Sequence, residues 1–153
     1  MDEIAYFLGA DGVKLMYRRW KPVLQTQSTS IVLLHGAASN STRWWHFVEH
    51  SRLTADRLLL RPDLRGNGES LWRGPARLEH WSQDIAGMLR HEQKTCAIVA
   101  GHCLGANVAI NFASRYPEMW RGWCSLSRLH GRRQAGFLLV CCYFFHYCNL
   151  LSC

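Results

Sequence analysis

The sequence predicts an α/β fold with a mostly parallel sheet covered on both faces. Short apolar runs stand at Ile31 to Leu34, Leu58 to Leu60 and Ala97 to Ala100, segments of helical spacing lie between and after them, and Gly- or Pro-bearing turns mark each change of pattern. Strands that alternate with helices pair in parallel through right-handed crossovers, because each helix carries the chain back to the start of the next strand. At 153 residues, 48% hydrophobic and 19% charged, the chain can bury one ordinary core and is neither disordered nor collagen-like.

Ile4 to Leu8 and Val13 to Trp20 are apolar-rich runs separated by Gly9, Asp11 and Gly12, the spacing of a β-hairpin that turns at the Asp-Gly pair. Lys21 to Ser30, with its Pro, Ser, Thr and Gln, reads as a loop. Ile31 to Leu34 then reads as a strand buried on both faces, ending in His35-Gly36. Trp44 to Leu53 has helical spacing, and Arg57 to Arg61 repeats the strand pattern. Pro62 to Ser70 is a Gly- and Asp-bearing loop, and Leu78 to Leu89 places Trp81, Ile85, Met88 and Leu89 on one helix face. The strand Ala97 to Ala100 leads through Gly101 to Gly105 into a helix over Ala106 to Tyr116, stopped by Pro117. There are no internal repeats. From Met119 onward Asp and Glu vanish while Cys, Arg and aromatic residues become dense, so the chain divides into 1–123 and a divergent Cys- and aromatic-rich tail, 124–153.

The formal charge of +7 raises nucleic acid or an anionic membrane as partners. Yet Arg43, Arg52, Arg57, Arg65, Arg77 and Arg90 recur singly, without the aromatic interleaving of a nucleic-acid face, and no nucleic-acid binding is expected. Met1 to Gly12 carries Asp2, Glu3 and Asp11 and lacks a positive n-region, so no signal peptide is expected. Of the seven Cys, Cys124, Cys141, Cys142, Cys148 and Cys153 crowd the tail, and reduced thiols in the cytoplasm are the expectation. His46-Phe47-Val48-Glu49-His50 has the HxxEH spacing of some zinc peptidases, but without a third ligand nearby it reads as a surface helix, and neither metal nor cofactor is expected.

The chemistry concentrates at Gly101-His102-Cys103-Leu104-Gly105, which follows an apolar strand and opens a helix. Flanking glycines allow a sharp, strained turn that lifts the central side chain clear of the backbone. The positive helix end and converging N–H groups favour a thiolate and a developing oxyanion there. With Leu34-His35-Gly36-Ala37 after the third strand and Pro62-Asp63-Leu64-Arg65-Gly66-Asn67-Gly68-Glu69-Ser70 after the fourth, this elbow resembles the α/β-hydrolase superfamily over Ile4 to Trp123. The resemblance implies that Cys103 attacks an acyl carbon and that the backbone amides of Ala37 and Leu104 form the oxyanion hole. It gives His35 the role of bracing the oxyanion loop and the Asp63 to Ser70 loop a structural role. Cys in place of the usual Ser is similar to dienelactone hydrolases and polyhydroxyalkanoate synthases. His102, adjacent to Cys103, projects to another side of the turn and is read as filling the cavity wall.

The family order is nucleophile, acid, His. After Cys103 the sole acid is Glu118, directly behind Pro117, and the downstream histidines His130 and His146 lack a strand-loop context, so neither acid nor base is carried over. The expectation is that the later strands and cap of the fold are absent, and the chain reads as a truncated or reading-frame-altered, catalytically impaired form. The resemblance thus implies a hydrolase of carboxylic esters, thioesters or lactones, taking a small acyl substrate through a Cys103 acyl-enzyme. Two alternatives stand beside it: a non-catalytic remnant serving as a binding or interaction module, and a fragment anchored through Ala135 to Cys153, which holds no charged residue and follows Arg128, Arg132 and Arg133. The resemblance places the Ala97 to Ala100 strand in mid-sheet beside a sixth strand. Cys124, Ser125, Ser127 and Arg128 interrupt the segment Gly122 to Leu129 that should form it, so an open edge and self-association are expected.

Overall fold

A computed structural model describes residues 2–23 and 29–121. Five strands form one sheet: β1 (Asp2–Leu8), β2 (Lys14–Trp20), β3 (Ser30–Leu34), β4 (Leu59–Pro62) and β5 (Ala97–Gly101). Their order across the sheet is β1-β2-β4-β3-β5. β1 and β2 make the expected antiparallel hairpin, closed by Gly9 N–H donating to the Val13 carbonyl at 2.8 Å, with Gly12 at φ 78°. β2 lies antiparallel on β4, while β3 is parallel to both β4 and β5.

Three α-helices cover this sheet: α1 (Trp45–His50), α2 (Leu78–His91) and α3 (Leu104–Arg115). Because side chains alternate along a strand, Val32, Leu34 and Leu60 face one way, against Ile85, Met88 and Leu89 of α2 and Val108 and Phe112 of α3. Ile31, Leu33 and Leu59 face the other way, against Val48 of α1. Every residue of β3 is buried, which is why Ile31 to Leu34 is an unbroken apolar run rather than an alternation.

The helix expected over Trp44 to Leu53 is shorter. Asn40 caps a 3-10 turn, Ser41–Trp44, and α1 then ends at Ser51, whose extended backbone (ψ 133°) lets its hydroxyl accept from Leu53 N–H and cap a second 3-10 turn, Arg52–Thr54. α3 starts two residues earlier than the spacing predicts, directly at the elbow, because Ala106 N–H already donates to the Cys103 carbonyl at 3.0 Å. β4 begins at Leu59 and extends to Pro62, which lacks an N–H and therefore closes the strand.

β5 ends the sheet order, and the chain returns to it in one parallel bridge, Ala97 with Trp120. Ala97 N–H donates to the Met119 carbonyl, and Arg121 N–H to the Ala97 carbonyl, both at 2.9 Å. The segment Gly122 to Leu129, the boundary at 123, the tail 124–153 with His130 and His146, and the candidate anchor 135–153 lie outside the described residues. Among the described residues no helix is long and apolar enough to cross a membrane.

Candidate active site

The turn from β5 into α3 is forced by contacts that glycine alone permits. A Cβ on Gly105 would stand 2.5 Å from the Leu34 carbonyl oxygen and 2.6 Å from that of His35, and one on Gly101 would overlap the backbone of Gly105. With the backbone pressed so closely on the end of β3, Cys103 takes up φ 54° and ψ −115°, a conformation costly for any residue with a side chain. The thiol is thereby thrust outward, and Cys103 is exposed.

The β3 end and the elbow are tied together. His102 N–H donates to the Leu34 carbonyl at 3.0 Å, and Gly36 lies so close that a Cβ there would be 3.4 Å from the Cys103 Cβ and 3.0 Å from His102 Nδ1. The structure therefore brings Gly36 against the Cys103 Cβ, with Ala37 the next residue of that loop and Leu104 the first residue of α3. Among the described residues neither the Ala37 nor the Leu104 amide donates to another backbone group. A helix start leaves such N–H groups open.

His35 is buried, and both its ring nitrogens are engaged: Nδ1 with the Gly36 carbonyl at 2.7 Å, and Nε2 as acceptor of Leu64 N–H at 2.9 Å. The amide can only donate, so the ring is neutral with its proton on Nδ1. Burial pushes this imidazole below its ordinary range, against the opposing pull of the Gly36 carbonyl and the Asp63 charge. His35 thus joins the loops after β3 and β4 and has no lone pair left to accept a proton from Cys103. The same two loops are joined again by Asp63, which accepts Ser41 N–H at 2.7 Å and Glu69 N–H at 2.8 Å. Sequence reasoning gave His35 its bracing role by resemblance alone; the Leu64 partner has no signal in the sequence.

His102, half-buried beside Cys103, directs its ring toward Gly36 at the end of β3; the remaining imidazoles of the described region sit elsewhere. His46 and His50 stack on exposed α1 with ring centroids 4.2 Å apart, and His50 Nδ1 bonds the His46 carbonyl at 2.9 Å. Among the described residues no three His, Cys, Asp or Glu side chains gather as a metal site. His80 accepts Arg77 N–H at 3.3 Å, and His91 packs on Phe7 and Tyr17. Two concavities of the described residues also lie away from the thiol: one is lined by Phe7, Leu15, Trp81 and Ile85 among others, the other by Tyr6, Lys14, Glu69 and Leu71.

The model of the alpha/beta hydrolase family matches residues 31–147. Among curated proteins, the chain is 33% identical over 103 residues to the dihydrolipoyllysine-residue acetyltransferase component of the acetoin cleaving system of Pseudomonas putida, covering 65% of this chain and 27% of that one. It is 27% identical over 88 residues to Lipase LipV of Mycobacterium tuberculosis, covering 58% of this chain and 33% of the lipase. Among solved structures, an alpha/beta hydrolase from Novosphingobium aromaticivorans superposes with a TM-score of 0.69 at 22% identity, over 79% of this chain and 42% of that protein, a likeness of fold. The chain therefore spans a third or less of these curated relatives.

Proposed function

The chain belongs to the alpha/beta hydrolase family, and on that premise we propose that it takes small carboxylic esters, thioesters or lactones and forms an acyl-enzyme on Cys103. The observation that carries this reading is the exposed Cys103 at a positive-φ corner between β5 and α3, with Gly36 of the neighbouring loop close to its Cβ. The relation to a lipase supports esters as the substrate class.

In the proposed cycle the Cys103 sulfur attacks the acyl carbon, and the amides of Ala37 and Leu104 hold the oxyanion that develops on the carbonyl oxygen. Collapse expels the alcohol or thiol and leaves a thioester. Its hydrolysis needs a base to activate water. His35 is committed to Gly36 and Leu64, and no hydrogen bond from another imidazole or carboxylate reaches Cys103 among the described residues. We propose acylation without efficient release, an impaired cycle, for this chain. A reducing, cytoplasmic setting suits a thiol that must stay free.

A second reading, an interaction module that self-associates, is favoured by the position of β5 at the end of the sheet, with a single bridge to Trp120, among the described residues.

Rapid mixing with p-nitrophenyl acetate tests the first reading. It expects a burst of about one equivalent of nitrophenolate per chain followed by little release, and no burst from Cys103→Ser, whose hydroxyl is weak without a base. A burst that survives in Cys103→Ser contradicts the nucleophile. Sustained turnover of roughly 1 per second or faster contradicts the impairment.

A further inference from the structure

The sheet face that carries α1 holds a group of polar side chains that play no part at the elbow. In the register of β2 on β4, Arg18 is the direct partner of Arg61, and alternation puts Trp20 on the same face as Arg18. Like charges directly opposed across a ladder repel. Both guanidiniums turn to one carboxylate: Arg61 Nη2 donates to Asp2 Oδ1, and Arg18 Nη1 lies 3.6 Å from Asp2 Oδ2. The Arg61 side chain is 0% exposed and that of Asp2 12%. Two cations and one anion leave this mostly buried group with an excess positive charge.

Its hydrogen bonding is unbalanced in the same sense. Seven buried side-chain nitrogen and oxygen atoms of the described residues lack a partner, and four of them are here: Arg18 Nε, Trp20 Nε1, Arg61 Nε and Arg61 Nη1. All four are donors and none can accept. Buried polar groups are satisfied in the great majority of native proteins, so a concentration of unmet donors calls for an acceptor.

The chain's own carboxylates are spoken for. Of eleven Asp and Glu, Glu3, Asp11, Asp84 and Glu92 pair with Arg19 or Arg65. Asp63 and Glu69 are hydrogen-bonded around the loop after β4, and Asp56 lies beside Arg57. Glu49, Glu79 and Glu118 are exposed on the helical layers or beyond them.

We propose that Arg18, Trp20 and Arg61 form a binding site for one small monovalent anion, chloride or a carboxylate of formate size. A single negative charge neutralises the excess, and charge-assisted acceptance from guanidinium and indole N–H groups supplies the missing partners. Burial of the donor atoms restricts the ligand to a small one, and Arg18, whose side chain is 25% exposed, gives it access.

The test follows the thermal midpoint of the full chain while sodium chloride or sodium formate replaces sodium gluconate at constant ionic strength. The midpoint should rise with the logarithm of chloride or formate concentration. Arg18→Met removes the excess charge and one donor while keeping the Arg61–Asp2 pair, and its midpoint should not respond. Whichever of chloride and formate acts at the lower concentration identifies the preferred anion. Chloride NMR line width gives a second readout, with excess broadening by the wild-type chain lost in Arg18→Gln should Arg18→Met not fold. A midpoint that does not change when chloride or formate replaces gluconate, or an equal response in the Arg18 variants, would overturn the proposal.

Discussion

Two loops leave parallel strands at the same end of the sheet and treat their side chains in opposite ways. The loop after β4 satisfies its polar groups: Asp63 accepts two backbone N–H groups, Arg65 ties Asp11 of the hairpin turn to Asp84 of α2, and the Ser70 hydroxyl accepts Met16 N–H at 2.9 Å. Asp63, Arg65 and Ser70 are all buried. The elbow after β5 fixes its backbone just as tightly through Gly101 and Gly105, yet leaves its central thiol exposed. Both loops are conformationally demanding, since Gly66, Gly68 and Cys103 all stand at positive φ. A demanding turn alone therefore does not mark chemistry. What separates them is that one turn spends its side chains on holding the fold, and the other holds its backbone so that a nucleophile stays open.

The largest effect should come from the elbow's backbone. Gly105→Ala puts a methyl group within 2.6 Å of two carbonyl oxygens, that of Leu34 at the end of β3 and that of His35 just beyond it, and the Leu34 carbonyl is held by His102 N–H. A loss of about 4 kcal/mol or more is expected, read as a collapse of the cooperative urea transition. A variant with wild-type stability would show that the elbow tolerates a different path.

Next, Arg65→Met strands the mostly buried Asp84, whose side chain is 11% exposed, without its cation. Removing one partner of such a pair costs about 3 kcal/mol, again by urea unfolding. Under native conditions the alkylation rate of Cys103 should stay at the wild-type value, because Arg65 braces a different loop. A coupled loss of reactivity would erase the distinction between the two loops.

Smaller still is the effect of pH through His35. Burial holds its folded-state value below the ordinary 6.5, so the unfolded chain takes up the proton first. Stability is then fully present above 6.5 and declines as pH falls from there toward the depressed folded value. His35→Asn, which cannot titrate, should flatten this part of the melting-temperature profile. An unchanged profile would assign the decline to another group.

Much of this architecture was legible in the sequence because a parallel sheet buries both faces. β3 announces itself as Ile31 to Leu34 with no polar interruption, and α2 as Trp81, Ile85, Met88 and Leu89 on one stripe. The elbow was legible because its glycines are demanded by steric contact. Less legible was the segment from Trp44 to Leu53, where apolar spacing continues across Ser51 although the backbone breaks there to cap a new turn. Arg61 reads as the polar end of a strand; only the pairing of β4 between β2 and β3 shows it fully buried. The neutral state of His35 depends on Leu64, far along the chain, and such long-range partners leave no local pattern.

The openness of Cys103 is measured directly by site-mapped alkylation. The native chain is treated with limiting iodoacetamide and digested, and the modified fraction at Cys103 and Cys96 is followed over time by mass spectrometry. Cys103, exposed at the start of α3, should be consumed first, ahead of Cys96, which is part-buried and accepts a hydrogen bond from Arg121 Nε at 3.2 Å. Labelling at Cys103 no faster than at Cys96 would contradict the claim that the elbow presents a nucleophile.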